Sequence, residues 1–245
     1  MTRRGFIDEQ TNTVFFWAQK CGCTSIFEYL SDTYGQPRRF FHRNSGDFAA
    51  CSQAIAENGY NSVVVKRDPI DRAISCFVDK FVFREEPLLT PSHLASFTQP
   101  LYGQYTELFN GETERNTITF EQYLKTVDAA MDARVDPNDN ATINGHWDTQ
   151  VPPAALDFEY DKVFDVSEMS TGFKNYCDEI GIACSGSAEN KSTYGESSDE
   201  YLGDVPAYEL ATTLVNKKNF RSPETDRFIR YLYAIDYVKF GDLSW

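Results

Sequence analysis

Two strand-to-helix passages in the first third of the chain constrain its fold more than any other feature. The apolar run Thr13 to Ala18 (TVFFWA) passes through Lys20-Cys21-Gly22-Cys23-Thr24-Ser25 into an amphipathic stretch, Ile26 to Leu30. The continuous β-branched run Ser62 to Val65 then passes through Lys66-Arg67-Asp68-Pro69 into a segment where Ile70, Ala73, Ile74, Phe77, Val78 and Phe81 recur at helical spacing. An unbroken apolar run of this length belongs in a strand covered on both faces, as in parallel sheets, and Pro69 stands where a first helical turn tolerates it. Strand, helix, strand, helix predicts an α/β layered domain with ligands at the carboxyl ends of the strands.

Further elements follow from the same patterns. Between the two strands lie the first helix, a turn at Gly35-Gln36-Pro37 and the charged, aromatic segment Arg38 to Arg43. From Arg84 to Asn116 the pattern weakens, with Pro87, Pro91, Pro100 and Gly103, which predicts a long excursion over the active-site face with room for one short helix. Thr119 and Gln122 form a capping-box signature ahead of Phe120, Tyr123, Leu124, Val127 and Met131, and Asp136 to Asn140 ends that helix. Lys162 to Val166 reads as a strand, Met169 to Ile180 as a helix closed by Gly181, and Thr225 to Tyr237 as one final helix. Residues 185–204, rich in Gly, Ser, Asn and acids, read as a mobile loop, and there is no internal repeat. A single domain over 1–245 is expected.

Composition excludes some functions. A net charge of −14 argues against a generic nucleic-acid or anionic-membrane surface, so an anionic ligand must enter a local basic pocket. The N-terminus lacks an apolar stretch of signal-peptide length, and no segment is apolar over the roughly 18–20 residues that span a bilayer, so the expectation is a cytoplasmic protein without stable membrane insertion. Cysteines at 21, 23, 51, 76, 177 and 184 are too sparse for a disulfide scaffold and are expected as thiols, the alternative being one bridge such as Cys177–Cys184. Asn140-Ala-Thr and Asn190-Lys-Ser match the glycosylation pattern but mean little without a secretory route.

The loop at 20–25 is an anion cradle. The first turn of a helix has backbone N–H groups without partners and a partial positive charge. Gly22 allows close backbone approach, Thr24 and Ser25 add hydroxyls, and Lys20 adds a full charge. The order differs from G-x-x-x-x-G-K-[ST], in which Lys follows the second Gly, and this points away from ordinary ATP and GTP enzymes. The second passage carries R-D-P-x-x-R-x-x-S, with Arg67 at the strand end and Ser75 two turns into the helix. The pair suits a nucleotide with phosphates at two separate positions, Arg67 making the bidentate contact; the alternative for Arg67 is an ion pair with Asp68 or Asp71. Cys21 and Cys23 admit a rival reading as a redox or metal pair, and their place at a helix N-terminus could lower a thiol pKa. Arg38, Arg39 and Arg43 are either a basic rim for an acidic acceptor or solvated charge, as are Lys217, Lys218 and Arg221.

Five stretches together resemble the sulfotransferases that use 3′-phosphoadenosine 5′-phosphosulfate (PAPS), more narrowly the Golgi-type carbohydrate sulfotransferases and their bacterial relatives. They are the loop Lys20 to Ser25, VVVKRDPIDRAISCFVDKF at 63–81, ITFEQYL at 118–124, GHWDTQ at 145–150 with YDKVFDVSEM at 160–169, and YLYAIDYVKFG at 231–241. The chain departs from the carbohydrate enzymes in having Asp148 where they have Arg, and the expectation is a protein without their membrane anchor and stem. The resemblance implies a P-loop-like three-layer fold, with a central mainly parallel sheet flanked by helices.

It further implies PAPS as donor, the bisphosphate PAP as product, no metal, and a carbohydrate or other hydroxyl-bearing acceptor. The 5′-phosphosulfate would lie on Lys20, Cys21, Gly22, Cys23, Thr24 and Ser25, and the 3′-phosphate on Arg67 and Ser75. Lys20 would stabilise the leaving oxygen. Of the three histidines, His42 leads as general base because it sits between the donor motifs, as in the uronyl 2-O-sulfotransferase branch; His146 follows and His93 is third. A nucleotide kinase of P-loop type, or an inactive nucleotide or glycan binder, are the competing functions.

Overall fold

A computed structural model describes residues 4–82, 90–134, 143–183 and 199–241. Its centre is a four-stranded sheet in the order β1 (Gly5–Asp8), β2 (Thr13–Phe16), β3 (Asn61–Lys66) and β4 (Lys162–Asp165). The β1–β2 pair is an antiparallel hairpin. The other two pairs are parallel, with Phe16 opposite Val64 and Val64 opposite Val163. Helices α1 (Cys23–Tyr34), α2 (Arg38–Asn44) and α3 (Phe48–Asn58) lie between β2 and β3, and α4 (Pro69–Phe81), α5 (Gln99–Phe109) and α6 (Phe120–Asp132) between β3 and β4. After β4 come α7 (Gly172–Glu179), α8 (Ala207–Leu210), α9 (Pro223–Leu232) and α10 (Ala234–Phe240).

Alternation along the strands divides the core into layers. Phe15, Trp17, Val63 and Val65 pack with Ile26, Phe27 and Leu30 of α1, Phe41 of α2 and Phe173 of α7. Val14, Phe16 and Val64 pack with Phe48 and Cys51 of α3 and with Val151 and Ala155. This is the three-layer α/β architecture expected, with a mainly parallel sheet. A larger apolar cluster joins α4, α5, α6 and α9 through Phe77, Phe81, Tyr105, Phe120, Tyr123 and Ile229. No helix among the described residues is long and apolar enough to cross a membrane.

The predicted starts rest on observed caps. Asp68 accepts from the Asp71 N–H ahead of α4, with Pro69 at the first position, and Thr119 and Gln122 satisfy each other's backbone groups at α6. Several predictions need correction. β2 stops at Phe16, and Val166 belongs to a 3₁₀ turn rather than to β4. The excursion carries an eleven-residue helix, α5, and a 3₁₀ turn at Pro91–His93. α7 begins at Gly172, not Met169. The helix foreseen over Thr225 to Tyr237 is two, broken at Tyr233 (φ −111°, ψ 32°). That break places Asp236 where it accepts hydrogen bonds from Gln150 N at 2.8 Å and Val151 N at 3.2 Å. Tertiary hydrogen bonding thus overrides a continuous helical pattern.

The loop foreseen at 185–204 falls mostly outside the described residues, as do both glycosylation patterns and Cys184. Its end is pinned, with Leu202 N donating to Asn219 O and Glu121 N to Gly203 O.

Candidate functional site

Because β2 and β3 are parallel neighbours, the loops leaving their carboxyl ends meet. Lys20 (φ +67°) and Gly22 (φ +76°) both take left-handed backbone conformations, turning the chain into α1. For Lys20 this is a strained choice, since L side chains disfavour it by about 1–2 kcal/mol. No side chain caps α1 among the described residues and no carboxylate occupies its first turn, where Cys23, Thr24 and Ser25 are half-buried. The helix end therefore keeps its N–H groups and partial positive charge for an external anion.

Arg67, just past β3, donates through Nη1 to the Lys20 carbonyl at 3.0 Å, which joins the two passages. Its Nε is buried and finds no acceptor among the described residues. Neither carboxylate suggested as its partner takes it: Asp68 caps α4, and Asp71 pairs with Lys217. Ser75 is buried on α4.

A buried polar scaffold stands behind these two passages. Arg72 of α4 is buried and donates to the carbonyls of Gln19 (3.0 Å), Gly145 (2.8 Å) and Asp148 (2.7 Å). It therefore clamps Gln19, just ahead of the 20–25 loop, to the 145–150 segment. Asp148 is buried between Arg4 (2.8 Å) and Arg134 (2.5 Å). The Gln150 side chain reaches Arg67, Cys21 and Asp236. Asp236 is pushed up to about 6, chiefly by burial, with Arg72 and hydrogen bonds from Gln150 and Val151 opposing.

On the solvent side Lys20 Nζ pairs with Asp79 at 3.0 Å, and Lys80 holds the same carboxylate oxygen at 2.8 Å. Burial alone would raise Asp79, but hydrogen bonds and charge from Lys80 and Lys20 hold it below the usual carboxylate range. His146 stacks on Phe97 at 4.7 Å and 12°, and its Nδ1 lies 2.6 Å from Asn144 Oδ1. Burial first, then Lys80, Arg72 and Lys20, push this imidazole down to about 3, so it is neutral at neutral pH. Lys80 also lies 5.6 Å over the Phe97 ring. His42 is exposed on α2, its ring 5.5 Å from Trp17 and 5.9 Å from Phe27, beside the start of α1. His93 is exposed in the 3₁₀ turn.

The reactive-thiol idea for Cys21 and Cys23 is overturned. Burial pushes Cys21 up to about 12 and also raises Cys23, outweighing any helix-end effect. Among the described residues no group of three His, Cys, Asp or Glu side chains could hold a metal ion. Lys217, Lys218 and Arg221 pair with Asp71, Asp199 and Asp226, and Arg38 with Glu28 at 3.4 Å.

Sequence reasoning assigned no role to Gln150, Asp79, Lys80 or Phe97. Gln150 ends the GHWDTQ segment, and Asp79 lies four residues past Ser75, one helical turn on; only these positions hinted at them.

A family model described as the sulfotransferase family matches residues 3–241. No curated protein and no solved structure matches the chain.

Proposed function

Because the chain belongs to the sulfotransferase family, we propose that it moves a sulfuryl group from PAPS to a hydroxyl, on a carbohydrate acceptor. The observation that carries the donor assignment is the Arg67 guanidinium: it has a buried Nε without an acceptor and no carboxylate partner among the described residues, and it is joined to the Lys20 loop. A guanidinium so placed favours a phosphate, whose oxygens match its fork of donors. The uncapped start of α1 supplies the second anion position that a 3′,5′-substituted nucleotide requires.

In this reading Gly22, Cys23, Thr24 and Ser25 hold the 5′ end through main-chain N–H groups and hydroxyls, with Cys21 buried beneath them. Arg67 and Ser75 hold the 3′-phosphate. PAPS supplies the activated sulfuryl group. Lys20 exchanges its Asp79 partner for the oxygen between phosphorus and sulfur, and neutralises the charge left there as the acceptor oxygen bonds to sulfur. Such catalysis is mostly positioning and electrostatics.

His42 takes the acceptor proton. His146 is the rival, favoured by the electrostatic reach of Lys20, but an imidazole pushed down to about 3 is a weak base near pH 7. The kinase alternative is opposed by Lys20 preceding Gly22 and by the R-D-P-x-x-R-x-x-S pattern. A nonenzymatic relative would bind the donor and fail to turn over.

Screening oligosaccharides, glycolipids and small alcohols with sulfur-labelled PAPS tests the proposal. Label is expected on a carbohydrate hydroxyl, and His42→Ala is expected to abolish transfer while sparing PAP binding. Transfer retained in that variant would move the base to His146, and no transfer to any acceptor would favour the nonenzymatic reading.

A further inference from the structure

Gln150 is 6% exposed, and its primary amide pairs with Arg67 as a neighbouring strand would. Oε1 accepts from the Arg67 N–H at 2.9 Å and Nε2 donates to the Arg67 carbonyl at 2.8 Å. Arg67 lies one residue beyond the ladder, which ends at Lys66–Asp165 on one side and Phe16–Val64 on the other. The side chain therefore carries strand-like pairing onto the residue that turns toward the anion pocket. The same Oε1 accepts from Cys21 Sγ at 3.0 Å, beneath the loop that forms the other half of the pocket. Gln150 is itself anchored, its main-chain N–H donating to Asp236 Oδ1 at 2.8 Å and Oδ2 at 3.0 Å.

We infer that Gln150 is a positioning residue: it fixes the direction in which Arg67 presents its guanidinium, and through it the preference for a nucleotide carrying a 3′-phosphate. The inference rests on the donor reading above. The chemistry requires an amide, with one donor and one acceptor at the reach of a glutamine. Glutamate would offer acceptors to both the Arg67 carbonyl and the Asp236 carboxylate. Methionine would fill the volume and leave both Arg67 groups unpaired.

The test compares the affinities of the full chain for PAP and for adenosine 5′-phosphate by calorimetry. The wild type is expected to favour PAP by about tenfold or more, the worth of one charge-assisted contact. Gln150→Met is expected to lose about tenfold for PAP while adenosine 5′-phosphate binding barely changes. Tyr233→Phe removes a buried hydrogen bond to the Trp147 carbonyl in the same segment (3.0 Å), lowering stability while keeping the preference.

Gln150→Glu gives a second reading should the methionine variant fold poorly. Near pH 7 it behaves as methionine does, and as pH falls and the carboxyl protonates, its O–H can donate to the Arg67 carbonyl and the preference returns. Retention of the wild-type ratio at every pH in the variants that fold would overturn the role of Gln150. A wild type that does not distinguish the two nucleotides would overturn the donor reading and this inference with it.

Discussion

A single guanidinium carries much of the account, because a buried donor without an acceptor is costly unless a ligand completes it. Arg67→Ala is expected to weaken PAP binding roughly 10–100-fold, a charged hydrogen bond being worth about 1.5–3 kcal/mol, while the apo protein keeps its melting temperature within a degree or two. Unchanged affinity in a calorimetric titration would remove Arg67 from the pocket. His146 makes a prediction about pH. Its unfolded ring titrates near 6.5 and its folded ring at about 3, so the unfolded chain binds more protons between these values. The stability of the neutral ring is complete above about pH 6.5 and drains as pH falls toward 3. His146→Phe should therefore flatten the decline of melting temperature between pH 6.5 and 4 relative to wild type, and parallel curves would contradict the shift. Asp236 works in the opposite sense, losing its contribution as pH rises toward 6, but it is common to both proteins and cancels in the difference. Lys20 and Arg67 were legible in the sequence because each ends an apolar run at a predicted strand-to-helix turn. Gln150 was not, since the sequence does not say which backbone a buried amide will meet.

At the scale of elements, β3 was legible because a short β-branched run suits a strand covered on both faces, and α4 because its apolar stripe recurs at the helical period. β1 is four residues, too short to show alternation, and exists through its antiparallel pairing with β2. α3 was missed because its apolar residues are mostly Ala, with only Phe48 and Cys51 buried. The start of α1 is where sequence and site coincide. Gly22 holds φ +76°, and a methyl group there would lie 3.3 Å from Met169 Sδ. Gly22→Ala should cost about 1–2 kcal/mol in urea unfolding and weaken PAP binding as well, since the strained turn aims the helix N–H groups. A variant with wild-type stability and affinity would show that the turn is not needed.

Across the whole molecule, a buried polar scaffold spans long sequence separations. Arg4, ahead of β1, and Arg134, past α6, meet at Asp148, while Arg72 ties the same segment to Gln19, ahead of the 20–25 loop. Removing the shared carboxylate takes away the buried anion that pairs with both Arg4 and Arg134, so Asp148→Ala should cost about 3–5 kcal/mol by denaturant unfolding; a loss below about 1 kcal/mol would contradict a structural role for the cluster. With a net charge of −14 the chain as a whole repels an anionic nucleotide, so in the proposed reading the local field of Lys20, Arg67 and the α1 terminus must draw it in. Thermal unfolding with PAP and with magnesium-free ATP tests this most directly. At a free concentration about 100-fold above its Kd, PAP should raise the melting temperature by about 5–10 °C while ATP at the same concentration does little; equal shifts, or no response to PAP, would contradict the assignment of the pocket to a 3′-phosphorylated sulfuryl donor.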